Sequence, residues 1–447
     1  MMTDQAIAKQ LPAGSAFLFA GLTVSLMGFL GYYTQKGFVS PPPVVTVSLQ
    51  SLLLLAGLYT LRSGIATRIG FLWPIFAFSL WAFITSIFAD DIVALRRAAI
   101  ILVPGALTCL LAILDPNPHQ TFVRFTRILT SISIFSAAFA IALTLLGVGT
   151  ISSGEYILQL WGDPAAPGMQ VSWRKIEALS MELQRPSGLT SNANSLGIIA
   201  ALAMTCEIIR CMTIQKMSSK DSILILLLAF ISASTFSRGA LLFLAIIIAF
   251  LVPHKAGKPK WLAAPLVALI AVTPAIFFLF MAFGLIDTPT IKALNSAAPY
   301  ETGSIAHLYE AFHLRERATI WAHAYNAISE FWLFGAGFSL VQEKVFSPLG
   351  MQTAAHSVPL SILIETGIIG LALMLITWFL PVVRAIFPHN TSPLSIGIAA
   401  ILVGLYGHQI FDSSVFRYHF LHFIFCYLLG AISNPALTRD DRNSYGT

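Results

Sequence analysis

The stretch that decides the fold lies at residues 357–383 and reads SVPLSILIETGIIGLALMLITWFLPVV. It contains one carboxylate, Glu365, and no basic residue. As a helix it is long enough to cross about 30 Å of hydrocarbon. Similar stretches lie at roughly 16–33, 44–61, 70–89, 98–114, 128–149, 191–209, 222–236, 240–252, 262–285, 393–411 and 417–434. Because they are continuously apolar and not alternating, they favour helices over a barrel. The sequence predicts an all-α polytopic membrane protein with about twelve transmembrane helices.

The composition excludes a soluble globule. Of the 447 residues, 57% are hydrophobic and 10% are charged, and the mean hydropathy is +0.80. The net charge of +6 reflects basic residues in short loops, and no aromatic-basic motif indicates nucleic-acid binding. The four cysteines lie within or beside apolar stretches, so we expect no disulfide and no cysteine-based metal site.

The basic residues predict the orientation. One set of alternate breaks carries Arg62, Arg68, Arg124, Arg127, Arg210, Lys216, Lys220, Lys255, Lys258, Lys260 and Arg384. Short loops on the other side carry only Lys36, Arg96, Arg97, Arg238 and Arg417. The positive-inside rule therefore puts both termini in the cytoplasm, within a single membrane domain spanning 1–447. Two long loops, 150–190 and 286–355, then face outward.

The first long loop ends in polar residues. Arg185 is followed by Pro186, and Asn192 and Asn194 precede the next apolar stretch. One interpretation is an extended loop end with an asparagine N-cap. The other is that these side chains line a polar cavity and bind substrate.

Arg238 lies in Ser237-Arg238-Gly239 between two short apolar stretches, which could also be one broken span. An arginine there must snorkel, pair or face a wet cavity. Snorkelling at a tight external turn is one interpretation. We favour phosphate binding, because the guanidinium matches phosphate oxygens bidentately.

The second long loop contains a predicted amphipathic helix near 313–331. Its apolar residues recur at three- or four-residue spacing. Such a helix would lie on the membrane surface, with Arg315 and Arg317 facing anionic headgroups and Trp321 at the interface. It stops at Phe334-Gly335-Ala336-Gly337.

His356 and Glu365 belong to the stretch that follows this loop. A lone histidine at a membrane boundary is often only interfacial, but the neighbouring arginines favour a catalytic role. Glu365 inside an apolar helix must be paired, protonated or solvated. It is either a structural partner of an arginine or part of the site.

Together these motifs resemble the O-antigen ligase and O-antigen polymerase superfamily of bacterial inner-membrane GT-C glycosyltransferases. The resemblance rests on Ser237-Arg238-Gly239, Arg317-Ala-Thr-Ile-Trp321, Phe334-Gly-Ala-Gly337, His356 and Glu365-Thr-Gly-Ile-Ile-Gly370. The family usually has asparagine after this histidine, whereas here Ser357 follows.

The resemblance implies transfer of a glycan from undecaprenyl diphosphate to an acceptor hydroxyl at the periplasmic face. We expect an O-antigen ligase with lipid A-core as acceptor. The alternative is a polymerase that extends carrier-linked repeats, and a rival class is a secondary transporter. The resemblance also implies that the enzyme is metal-independent, and no cofactor is expected. Direct attack of the hydroxyl would invert the configuration of the anomeric carbon.

In this scheme His356, Arg317 and Arg238 are catalytic. His356 accepts or orients the hydroxyl proton, and the two arginines stabilise the leaving diphosphate. Arg185, Asn192, Asn194, Arg315, Trp321 and Glu365 bind substrate. The nearest outward-facing acidic pair, Asp90-Asp91, is expected to pair with Arg96 and Arg97.

Overall fold

The structure is a computed structural model. It describes residues 16–18, 20–21, 32–34, 37–39, 43–61, 69–145, 150–153, 156–159, 174–176, 181–183, 193–214, 217–235, 237–255, 314–351, 353–387, 392–417 and 419–438. The predicted span at 262–285 lies outside these residues, as do Arg185 and Asn192.

Helices make up most of the described chain, because the apolar stretches satisfy their backbone groups internally. They are α1 Pro43–Thr60, α2 Trp73–Phe88, α3 Ile92–Leu114, α4 Pro118–Leu145, α5 Ala193–Ile214, α6 Ser219–Ser234, α7 Arg238–Lys255, α8 Leu314–Phe331, α9 Val358–Ile386, α10 Pro393–Ile410, α11 Ser414–Arg417, α12 His419–Ile432 and α13 Pro435–Thr438. Five described helices are long and apolar enough to cross a membrane: Gly70–Phe88, Ile92–Leu114, Asn194–Ile214, Val358–Ile386 and Pro393–Ile410. The helical membrane class is thus confirmed, and the number of about twelve spans stays a prediction.

The described residues include six short strands, which the all-α prediction did not anticipate; β1 overlaps the end of the first apolar stretch, and the other five lie outside the apolar stretches. Four form one antiparallel sheet in the order β2-β1-β4-β3: β1 Tyr32–Thr34, β2 Gly37–Val39, β3 Thr150–Ser153 and β4 Tyr156–Gln159. The other two, β5 Arg174–Ile176 and β6 Met181–Leu183, form a hairpin. Hydropathy identifies long spans, and it does not register pairings of three or four residues.

The helices pack around one large apolar core. Helix α3 packs against α12 and α1, α5 against α6 and α4, and α10 against α7 and α9. A smaller second core joins α8, the segment at 336–346 and the start of α9, through residues such as Ile320, Phe346 and Ile364. This second core holds the polar end of the molecule in place.

Helices α5 and α6 form a hairpin that buried charge stabilises. Glu207 is buried, and its carboxylate accepts hydrogen bonds from Thr130 and Arg210. Arg210 also pairs with Asp221, which completes a capping box with Ser218 at the start of α6. Each buried charge therefore has a partner, as burial requires. Helices α6 and α7 are separate helices, with Ser237 directly before the start of α7.

Helix α9 is broken at Gly367, where φ is +69° and ψ is −174°. At the break, backbone carbonyl and amide groups of α9 lack their usual partners within the helix, and the segment after α8 forms hydrogen bonds with them. Ala336 N donates to Ile364 O at 2.8 Å, Gly337 N to Glu365 O at 2.9 Å, and Ile368 N to Trp332 O at 2.7 Å. Trp81 Nε1 donates to Thr366 O at 2.7 Å. The buried carbonyls are thereby satisfied.

This junction requires glycine at two positions. A Cβ at Gly367 would overlap the carbonyl oxygen of Leu333, and one at Gly335, whose φ is +79°, would overlap the carbonyl of Glu365. The two motifs at 334–337 and 365–370 therefore form one structural joint. We call it the glycine joint.

Candidate functional site

A cavity of about 450 Å³ lies where the start of α3, the start of α9 and the segments at 338–342 and 413–416 meet. All these elements lie at the end of the bundle that the charge pattern predicts to be outside. Its lining comprises Arg96, Arg97, Ile100, Ile101, Phe338, Ser339, Val341, Gln342, Ala354, Val358, Ser361, Ile362, Glu365, Ser413 and Phe416. The volume falls within the range of small-molecule sites, about 300–1,000 Å³.

Two arginines of α3 face this cavity. Arg97 Nη1 donates to the carbonyl oxygen of Ser339 at 2.6 Å, and Arg97 Nη2 pairs with Glu343 Oε1 at 2.7 Å. Arg96 is exposed and lines the cavity, and none of the ion pairs found among the described residues involves it. Arg96 is therefore placed to bind an anion.

The expected pairing of Asp90-Asp91 with these arginines is wrong for Asp91 and Arg97. Asp91 Oδ1 accepts a hydrogen bond from Val93 N at 2.8 Å and caps the start of α3. A carboxylate at an N-cap satisfies a free amide and complements the helix dipole. Arg97 finds its carboxylate instead on Glu343, far away along the chain.

Glu365 lies inside the cavity wall and is 6% exposed. It is seven residues beyond the start of α9, which corresponds to a depth of about 10 Å at 1.5 Å per residue. Its Oε1 is 3.5 Å from the amide nitrogen of Val341, and it is close enough to Arg97 and Glu343 to interact with both charges. Glu365 is thus both near an arginine and part of the cavity, so the two interpretations of this residue are compatible.

His356 lies two residues before α9, between the cavity-lining residues Ala354 and Val358. Its φ is +49°, in the left-handed region that a residue with a Cβ seldom adopts. Its Nε2 is 3.3 Å from Thr353 Oγ1. Backbone strain of this kind is typical of functional sites.

Trp321 connects α8 to this histidine. Its Nε1 donates to the carbonyl oxygen of Ala355 at 2.9 Å, and its ring packs against Phe411 at 5.8 Å between centroids. Arg317 belongs to α8 one turn before Trp321, and Arg315 lies at the start of the same helix. The first turns of α8 are therefore tied to the residue adjacent to His356.

Arg238 is the first residue of α7. The next residue, Gly239, packs so closely on the imidazole of His408 that a Cβ would lie 2.6 Å from its Cδ2. His408 is followed by Gln409, whose Oε1 accepts from Val415 N at 2.9 Å. The start of α7 is linked to the cavity through this loop, which carries Ser413. Asn194 lies in the first turn of α5, which packs against α7.

Sequence reasoning did not identify Arg96, Arg97 or Ser413 as site residues. A signal for the two arginines existed, because they are basic residues in a short loop that the positive-inside rule predicts to be poor in them. Ser413 carries no such signal. A serine in a short loop is ordinary, and only the packing places it in the cavity.

The fold and the cavity define a polytopic helical membrane protein with a polar site at one end of the bundle. Residues 223–375 match the family model described as O-antigen ligase. The match over these residues supports the resemblance to the O-antigen ligase superfamily that the motifs predict. This range includes the turn before α7, all of α8, the glycine joint and His356. No curated protein sequence matches the chain.

This match supports an O-antigen ligase-like, glycosyltransferase-like function in general. It also implies lipid-linked glycan and lipid A-core type substrates in general terms.

Proposed function

We propose that this protein transfers a glycan from undecaprenyl diphosphate to the hydroxyl of lipid A-core, on the periplasmic side of the bacterial inner membrane. The observation that carries the proposal is the polar cavity beside His356, with Arg96 and Arg97 in its wall. The cavity opens at the predicted outer end of apolar helices, where a lipid-bound diphosphate would lie at the headgroup level.

Negative charge on the donor diphosphate increases as the glycosidic bond breaks. Nearby positive charge would therefore bind the diphosphate more strongly in the transition state than in the ground state. Arg96, at the cavity wall, is one source of that charge. Arg317 on α8 and Arg238 at the start of α7 are the others in this proposal. Preorganised arginines stabilise a leaving phosphate through bidentate hydrogen bonds, and in this proposal they take the place of a metal ion.

The transfer step is a direct displacement. The acceptor hydroxyl oxygen bonds to the anomeric carbon while the bond from that carbon to the diphosphate oxygen breaks. The electron pair of that bond leaves with undecaprenyl diphosphate. The hydroxyl proton passes to the imidazole of His356 and then to water. Attack from the face opposite the leaving group inverts the anomeric carbon.

Helix α8 suits a role at the membrane surface. Trp321 and the second core hold it against the start of α9. In the proposal this helix covers the donor diphosphate and guides the acceptor lipid towards His356. The aromatic and apolar face of α8 packs on the protein, and an amphipathic helix of this kind suits a membrane surface.

The test is deletion of the gene in its host, followed by gel analysis of surface glycans and of carrier-linked glycans. We expect lipid A-core without attached polymer, and full-length polymer left on its carrier. Lipid A-core capped by single repeats would instead identify a polymerase. Unchanged glycans with loss of solute uptake would identify a transporter and overturn the proposal.

A further inference from the structure

The floor of the cavity differs chemically from its arginine-bearing rim. The floor is formed by Ser361 and Glu365 of α9, Ser413 of the loop before α11, and the rings of Phe338 and Phe416. Ser361 and Glu365 are four residues apart and so lie on one face of the helix. We call this set the cavity floor.

Ser413 provides the most direct sign that the floor binds a polar ligand. Its side chain is 8% exposed, and its Oγ has no hydrogen-bond partner among the described residues. The cost of burying such a hydroxyl is avoided when a ligand supplies the missing hydrogen bond. Because Ser413 lines the cavity, a ligand in the cavity can reach it.

The charges of the floor disfavour a diphosphate there. Glu365 lies within the wall, and Glu343 already neutralises Arg97. None of the five floor residues is a cation, so a diphosphate placed there in a poorly solvated space would lack a neutralising charge. A carboxylate with serine hydroxyls around it suits instead a ligand that carries several hydroxyl donors.

The aromatic residues complete this chemistry. The rings of Phe338 and Phe416 lie edge to face, with centroids 6.2 Å apart and an interplanar angle of 86°. A pyranose ring has hydroxyls at its edge and an apolar C–H face, so it can contact a phenyl ring and a carboxylate at once. Pockets with apolar walls and a few convergent polar groups bind ligands of this size.

We propose that the cavity floor is a sugar subsite that binds the pyranose nearest the diphosphate of the donor. Glu365 and Ser413 accept and donate hydrogen bonds to its hydroxyls, while the arginines at the rim hold the diphosphate. The inference rests on the proposed function, because it assumes a lipid-linked glycan donor. The sugar-subsite proposal goes further by assigning sugar recognition to the cavity floor and diphosphate recognition to the arginines at the rim.

The test compares two lipids on the full-length protein in nanodiscs, by native mass spectrometry. One lipid is bare undecaprenyl diphosphate, and the other is the carrier-linked glycan isolated from the host. We expect Ser413→Ala and Glu365→Gln each to weaken binding of the glycan-linked lipid by about threefold to tenfold. Both variants should bind the bare carrier as the wild type does.

Ser79→Ala is the matched control. Ser79 is 9% exposed and its Oγ also has no hydrogen-bond partner among the described residues, but it does not line this cavity. We expect this variant to bind both lipids normally. Ser413→Ala removes one oxygen atom, so it keeps the test valid even where Glu365→Gln fails to fold.

The outcomes separate the two proposals. Equal weakening of both lipids, or no weakening of either by the folded variants, would overturn the sugar subsite alone. Wild-type protein that binds neither lipid would overturn the proposed function, and the subsite with it.

Discussion

At the scale of single residues, His356 combines a strained backbone with a position in the segment beside the cavity, although it is not itself one of the lining residues. It lies between two lining residues, and Trp321 anchors the carbonyl of the residue before it. Strain in a residue that has no glycine-like freedom costs about 1–3 kcal/mol. The imidazole Nε2 lies 3.3 Å from Thr353 Oγ1, and a positioned imidazole is what proton transfer to a defined hydroxyl requires.

We therefore predict that His356→Ala lowers glycan transfer by about a hundredfold or more, because general-base catalysis contributes about that much. The variant should still insert and reach normal levels in the membrane. The measurement is transfer by membranes from a complemented deletion strain. His323→Ala, on the partly exposed part of α8, is the control and should keep its activity. Normal transfer by His356→Ala would remove this residue from the mechanism.

Arg317 tests the requirement for a planar guanidinium. We predict that Arg317→Lys is as inactive as Arg317→Ala, because a point charge lacks the fork that matches phosphate oxygens. Arg384→Lys is the control. Arg384 lies over the ring of Phe71 at 5.8 Å, at the opposite end of α9 from His356, and its replacement should not affect transfer. An active Arg317→Lys would contradict bidentate phosphate contact.

At the scale of elements, the glycine joint explains two sequence motifs with a single cause. The break in α9 exposes carbonyl groups in the middle of an apolar helix, and the segment at 332–337 supplies the amides that bind them. Each segment needs glycine because the other passes too close for a side chain. The joint fixes α8 relative to α9 and so fixes the first turns of α8 relative to His356.

We predict that Gly367→Ala destabilises the protein by about 1–3 kcal/mol or more, from backbone strain and from overlap with Leu333. The measurement is thermal unfolding in detergent, where the midpoint should fall by several degrees. Gly70→Ala is the matched control, since a Cβ at Gly70 meets no atom within 4 Å. Equal stability of the two variants would show that the joint contributes nothing to the fold.

At the scale of the whole molecule, one end of the bundle carries the cavity and the other carries the Glu207–Arg210–Asp221 cluster. The positive-inside rule predicts that the cavity end faces the periplasm. The proposed chemistry depends on this orientation, because it places the cavity on the same side as the acceptor lipid.

We predict that a cysteine at position 349, made by Leu349→Cys, reacts with a membrane-impermeant maleimide in intact spheroplasts. Lys220→Cys should react only after lysis. Both positions are exposed, and the four native cysteines are buried and free, so they contribute little background. Labelling of Lys220→Cys in intact spheroplasts would reverse the topology and refute a periplasmic site.

The sequence by itself determined that this is a helical membrane protein and which family its motifs resemble. It also provided the prediction of which end of each span faces the cytoplasm. These properties follow from local quantities, namely apolar length, loop charge and short motifs. It also selected His356, Trp321 and Glu365, which the structure places at or beside one cavity.

Only the tertiary structure decided the partners. It joined Arg97 to Glu343, brought Ser413 to the same cavity as Glu365, and made the two glycine motifs into one joint. Hydropathy and loop charge describe each segment alone, whereas these contacts join different segments of the chain. Which residues become partners depends on how the helices pack, and the sequence of a single span does not specify which other spans it packs against.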